Sequence, residues 1–173
     1  MVDEMVLAII ARDRPGLIKV LSETVTQHGG NWIDSSMARL GGEFAGILRV
    51  SVPTGESGAL EAALGRLGDA GISVVVRKGE TSPPPRQGRH ARLELTGVDH
   101  PGIVHRISTA LSALNISIDE LQTTVFAGSM SGEPMFEAKA EIVLPEGVEE
   151  TNLRATLEAL AKDLMVEVEL AAV

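Results

Sequence analysis

A five-residue pattern occurs twice in this chain, and its chemistry suits a small charged ligand. Asp13-Arg14-Pro15-Gly16-Leu17 returns, at an offset of 86 positions, as Asp99-His100-Pro101-Gly102-Ile103. Proline suits the first position of a helix, where its missing N–H would have no intrahelical partner, so the spacing puts Arg14 and His100 near the N-caps. Neither is a favoured capping residue. The amides of Gly16, Leu17, Gly102 and Ile103 are then open to an anion such as a carboxylate at the positive end of each helix dipole. Gly16 and Gly102 have no side chain to block its approach, and Asp13 and Asp99 offer a carboxylate to an ammonium group. Carboxylate and ammonium on neighbouring atoms describe an amino acid. The plainer reading is that each aspartate folds forward and caps its own helix, with Pro and Gly as turn punctuation.

The elements that hold these turns repeat with them. A short apolar or alternating run precedes each turn, Met5 to Ala11 and Ala91 to Thr96, and apolar residues at helical spacing follow it. Leu17, Val20, Leu21, Thr24 and Val25 line one helix face, closed by Gly29-Gly30; Ile103, Ile107, Ala110, Leu111 and Leu114 line the other, closed by Asn115. Strands follow over residues 31–40 and 116–125, then turns at Gly41-Gly42 and at Gly128 to Pro134. Return strands with period two end at Pro53 and Pro145. Leu60, Leu64 and Leu67 mark a second helix in the first half, and Leu153, Leu157, Leu160 and Leu164 mark its counterpart. Strands 72–76 and 166–170 complete a β-α-β-β-α-β order in each half. That order is the split-βαβ, ferredoxin-like α+β sandwich: a four-stranded antiparallel sheet with two helices on one face. The expected organisation is domain 1 over residues 1–78, a proline-stiffened linker over 79–89 containing Thr81-Ser82-Pro83-Pro84-Pro85, and domain 2 over 90–173. The unbroken apolar run Met5 to Ala11 is the pattern of a strand covered on both faces, and it argues against a bare monomer.

Composition narrows the functional classes. The chain of 173 residues is 44% hydrophobic with a net charge of −9, and residues 90–173 carry 14 acidic against 5 basic side chains. With three Phe, one Trp and no Tyr, it lacks the basic field and stacking rings of a nucleic-acid binder. There is no cysteine, which removes disulfides and thiolate catalysis. An acidic start, Met1-Val2-Asp3-Glu4, and apolar runs too short to span a bilayer fit a cytoplasmic chain away from membranes. His28, His90, His100 and His105 show no metal-ligand spacing, and neither a nucleophile elbow nor a Walker-type loop is present, so no enzyme activity, cofactor or metal is expected. Trp32, after Asn31, reads as core packing or an interface plug before ligand contact.

Two β-α-β-β-α-β units, each with Asp-x-Pro-Gly-(Leu/Ile) in the first βα turn, resemble a tandem pair of ACT domains. In arrangement the chain is similar to the two-domain glycine cleavage system transcriptional repressor family. The resemblance implies a regulatory module that binds amino acids where two domains lie side by side with their sheets joined. It implies ligand contacts from Asp13, Arg14, Pro15, Gly16 and Leu17 with Asn31, and from Asp99, His100, Pro101, Gly102 and Ile103 with Asn115. The expected function is a non-enzymatic amino-acid sensor, a homo-oligomer, acting through a protein partner such as a transcription factor or an enzyme. The alternatives are a ligand-independent interaction module and, further off, a small hydrolase of the acylphosphatase type. Arg14 and His100 differ between the copies, so unequal affinities are expected at the two sites.

Overall fold

In the computed structural model, which describes residues 1–79 and 84–173, the chain divides into two compact units, Met1–Pro84 and Pro85–Val173. Residues 80–83, including the Thr81-Ser82-Pro83 part of the expected linker, lie outside the described residues.

The first unit contains strand β1 (Val2–Arg12), helix α1 (Leu17–Gln27), strands β2 (Asn31–Leu40) and β3 (Glu43–Pro53), helix α2 (Ser57–Arg66) and strand β4 (Ile72–Gly79). Short 3-10 segments, Thr54–Glu56 and Leu67–Ala70, flank α2. The second unit repeats the order with β5 (Arg89–Val98), α3 (Ile103–Ala113), β6 (Ser117–Ala127), β7 (Pro134–Leu144), α4 (Glu150–Leu164) and β8 (Val166–Ala172). Both sheets are antiparallel, with orders β2-β3-β1-β4 and β6-β7-β5-β8. These are two tandem ferredoxin-like sandwiches.

Alternation builds each core. Met5, Leu7, Ile9 and Ala11 of β1 point inward with Leu48, Val50 and Val52 of β3, onto Leu17, Leu21 and Val25 of α1 and Leu60 and Leu64 of α2. In the second unit Leu93 and Leu95 meet Ile103, Ile107, Leu111, Leu153 and Leu157. Each fully buried Leu contributes about 1.5–3 kcal/mol by leaving water. The two small domains therefore each have a complete core.

The offset of 86 survives into fine detail. Gly30 N–H bonds to the carbonyl of Val25 at 2.9 Å and Ile116 N–H to that of Leu111 at 3.0 Å, closing α1 and α3 in the same way. The register of β2 on β3 shifts between Trp32 and Asp34, and that of β6 on β7 between Ile118 and Glu120. The copies diverge at the hairpins: Gly41 and Gly42, both at positive φ, make a two-residue turn, whereas six residues separate β6 from β7.

One expectation changes. The helices begin at Leu17 and Ile103, so Pro15 and Pro101 belong to the preceding turn and the N-caps are Gly16 and Gly102, not Arg14 and His100. Within the chain itself β1 packs through its inner face, and Val6 and Ile10 lie exposed on the outer face of the first sheet.

Candidate functional site

Each turn leaves its strand at the hairpin end of the sheet. Asp13 N–H bonds to the carbonyl of Gly42 at 3.0 Å, and Asp99 N–H to that of Pro134 at 2.9 Å, so each turn is tied to the neighbouring hairpin. The chain then passes through a left-handed glycine, Gly16 at φ 90° or Gly102 at φ 93°, into the helix. A Cβ at either glycine would meet nothing within 4 Å, so the backbone angle, not space, requires glycine there.

The first intrahelical bonds run from Val20 N–H to Gly16 and from Arg106 N–H to Gly102, both at 3.0 Å. No side chain caps either helix and neither has an acidic residue in its first turn. The amides N-terminal to Val20 and Arg106 thus have no intrahelical acceptor, and the positive end of each dipole is uncompensated locally. The aspartates do not fold forward as caps. Asp13 instead accepts an ion pair from Arg39 Nε at 2.7 Å. The position of Arg39 in the repeat is held by Val125, and among the described residues Asp99 makes no ion pair within 4 Å to a cation in the way Asp13 does.

Arg14 and His100, taken from the sequence as charges beside a ligand, face elsewhere. An Arg14 guanidinium N–H donates to the carbonyl of Ala70, the last residue of the 3-10 segment after α2, at 2.7 Å. His100 Nε2 lies 2.9 Å from the carbonyl of Leu164, the last residue of α4, and Nδ1 lies 3.1 Å from that of Pro101. In both units the second turn residue latches the first βα turn to the end of the second helix. The carbonyls of Leu164 first, and then Pro101, favour the charged imidazolium and hold the His100 pKa above its ordinary value.

Asn31 and Asn115 occupy different places. Asn31 opens β2 opposite Ser51. Asn115 sits at φ 55° where α3 ends, the place Gly29 holds at φ 69° after α1. The counterpart of Asn31 is Ser117, which opens β6 opposite Val143. Neither position adjoins its own unit's turn. Arg12 pairs with Glu43 and Asn31 with Ser51, eight residues further along β3, which is about 27 Å of extended strand. A single amino acid cannot touch both within one unit.

Trp32 packs half-buried against the first core and donates its indole N–H to Ser35 Oγ at 3.1 Å. Among the described residues no group of three His, Cys, Asp or Glu side chains could hold a metal ion, and no helix is long and apolar enough to cross a membrane.

Residues 4–76 match the family model of the ACT domain, and the second unit repeats the strand order of the first. More particularly, it is 22% identical over 161 residues to the glycine cleavage system transcriptional repressor of Escherichia coli (strain K12), a match covering 92% of this chain and 85% of the relative. A crystal structure of a putative glycine cleavage system transcriptional repressor superimposes with a TM-score of 0.73 at 23% identity, covering 100% of this chain and 98% of the other. An unknown protein from Galdieria sulphuraria does so with a TM-score of 0.83 at 25% identity, covering 100% and 99%.

Proposed function

We propose that this chain is a non-enzymatic sensor that binds a small amino acid at its βα turns and passes occupancy to a protein partner, a transcription factor or an enzyme, in the manner of a glycine cleavage system repressor. The observation that carries this reading is the pair of helices α1 and α3, each opening on a left-handed glycine with no side-chain cap. A ligand carboxylate supplies the missing acceptor. The aspartate at each turn receives the ammonium, with Asp99 better placed because Asp13 already holds Arg39.

The distance between turn and β2 start means that a polar side chain at Asn31 or Ser117 joins such a site only from another unit of the same fold. Binding of this kind favours one arrangement of units over others, which a sensor requires, since a ligand of equal affinity for two states shifts neither.

The test is a thermal-shift screen against the twenty amino acids. A ligand present at about 100 times its Kd stabilises by about 2.7 kcal/mol. A selective shift, reduced by Asp99→Asn, is the expected result. No shift with any amino acid would favour the second reading, a ligand-independent interaction module, for which the exposed apolar face of the first sheet speaks.

A further inference from the structure

The outer faces of the two sheets differ in kind although the fold is the same. On the second sheet the outward positions of β5 are Arg92, Glu94 and Thr96, flanked by Glu137, Lys139 and Glu141 of β7 and by Glu167 and Glu169 of β8. On the first sheet the outward positions of β1 are Val6, Ala8 and Ile10. Ala8 lies between Ile47 and Val75 on the neighbouring strands. Val6 is 38%, Ile10 49%, Val75 56% and Ile47 57% exposed. This topology does not itself demand an apolar outer face, and the second unit does without one. From this contrast we infer that the outer face of the first sheet is an interface between two copies of this chain, packed face to face as a β-sandwich. The inference goes beyond the sensor reading and does not depend on a bound amino acid.

The occupant follows from the face itself. Read across β2-β3-β1-β4, one row is Ala38, Ala45, Ile10, Ser73; the next is Ser36, Ile47, Ala8, Val75; the third is Asp34, Arg49, Val6, Arg77. A two-fold axis lying along the strands reverses this order in the second copy, which is the self-complementary arrangement of a closed dimer. Ile10 of one copy then faces Ala45 of the other, and Ile47 faces Ala8, large against small in both rows. In the third row Asp34, which holds Arg49 of its own chain at 2.8 Å, faces Arg77, and Arg49 lies over Val6, so this end of the patch brings opposite charges together at its two edges. Aligned sheets pack with their strands within about 30° and about 10 Å apart, which keeps these rows together.

Four strands about 4.8 Å apart, over the five residues from Val6 to Ile10 of about 3.4 Å each, give a flat footprint of roughly 330 Å² before side-chain relief is counted, so the side chains and the rows beyond them must contribute to reach the about 600 Å² of accessible surface per partner at which stable interfaces begin. The charged outer face of the second sheet offers no comparable apolar area.

Sedimentation of the full chain tests this. The expected result is a dimer for the native protein and a monomer for Ile47→Glu at the same concentration, with an unchanged circular dichroism spectrum; Thr96→Lys, on the second sheet, stays dimeric. Because the chain has no cysteine, a single Ala8→Cys substitution adds an independent readout, and a short bismaleimide should join two copies in much higher yield than with Thr96→Cys. A native chain that is monomeric, whatever else it binds, would overturn the inference. So would an Ile47→Glu chain that remains a dimer. Should Ile47→Glu fail to fold, equal cross-linking at Ala8→Cys and Thr96→Cys would overturn it on its own.

Discussion

His100 reaches across its unit to the end of α4, its Nε2 2.9 Å from the carbonyl oxygen of Leu164. The turn that begins α3 is thereby fastened to the terminus of the other helix on the same face of the sheet. In the first unit the longer Arg14 makes the same connection to Ala70. Two different side chains do one job, and a helix C-terminus, with its unpaired carbonyls and negative dipole end, is the natural place for a cation to do it.

The His100 latch depends on pH. Protonated, the imidazolium donates to both Leu164 and Pro101; neutral, it donates to one only. Its pKa in the folded chain is raised above the ordinary 6.5, first by the bond to Leu164. The stabilisation is therefore fully present below about pH 6.5 and lost as pH rises through the folded-state value. Thermal melts of the native chain and His100→Gln should differ more at pH 5.5 than at pH 8.5. An equal difference at the two values would remove the latch from the account.

Arg14→Ala is expected to cost about 1 kcal/mol, the usual worth of a hydrogen bond to a charged donor at an exposed site. Denaturant unfolding checks this. An unchanged stability would contradict the assignment of Arg14 and His100 to one role.

Gly16→Ala and Gly102→Ala should each destabilise by about 1–2 kcal/mol, because an L-residue is disfavoured in the left-handed region. Nothing obstructs the added methyl. The loss is expected as a shift of the denaturant midpoint at unchanged slope. Full stability in both variants would show that these turns relax to another backbone path.

The ion pair between Arg39 and Asp13 competes with any ammonium at the first turn. Arg39→Val, which copies the residue at the same place in the second unit, should tighten amino-acid binding at the first turn and leave the second unchanged. Calorimetry with the amino acid found by the thermal-shift screen measures this. Weaker binding after the substitution would mean that Arg39 itself contacts the ligand.

The architecture was open to reading because its signals are local. Alternation in Leu48, Val50 and Val52, helical spacing from Leu17 to Val25, and punctuation at Gly41-Gly42 each specify one element. The site was less so, because its parts meet through the fold. Nothing near Arg14 in the chain announces Ala70, 56 residues away, and nothing in Asp13-Arg14-Pro15-Gly16 reveals that the glycine, not the residue before the proline, is the cap. The placing of Asn31 beside Asn115 matched residue type where position was the better guide. The constant offset of 86 already pairs Asn31 with Ser117 and Gly29 with Asn115, and the hydrogen bonds closing α1 and α3 keep to it.

The hairpins give the two turns different surroundings. Asp13 is bonded to the corner made by Gly41 and Gly42, which carries no side chains at all, whereas Asp99 is bonded to Pro134 at the base of a loop containing Ser129, Met130, Ser131 and Glu133. A solute approaching the first turn passes this bare corner and meets Arg39 on Asp13. One approaching the second passes a fully exposed Met130 and an acidic Glu133. The duplicated turns thus have unlike doorways, and the traffic through each is free to change in evolution by editing a hairpin tip while the turn itself stays untouched.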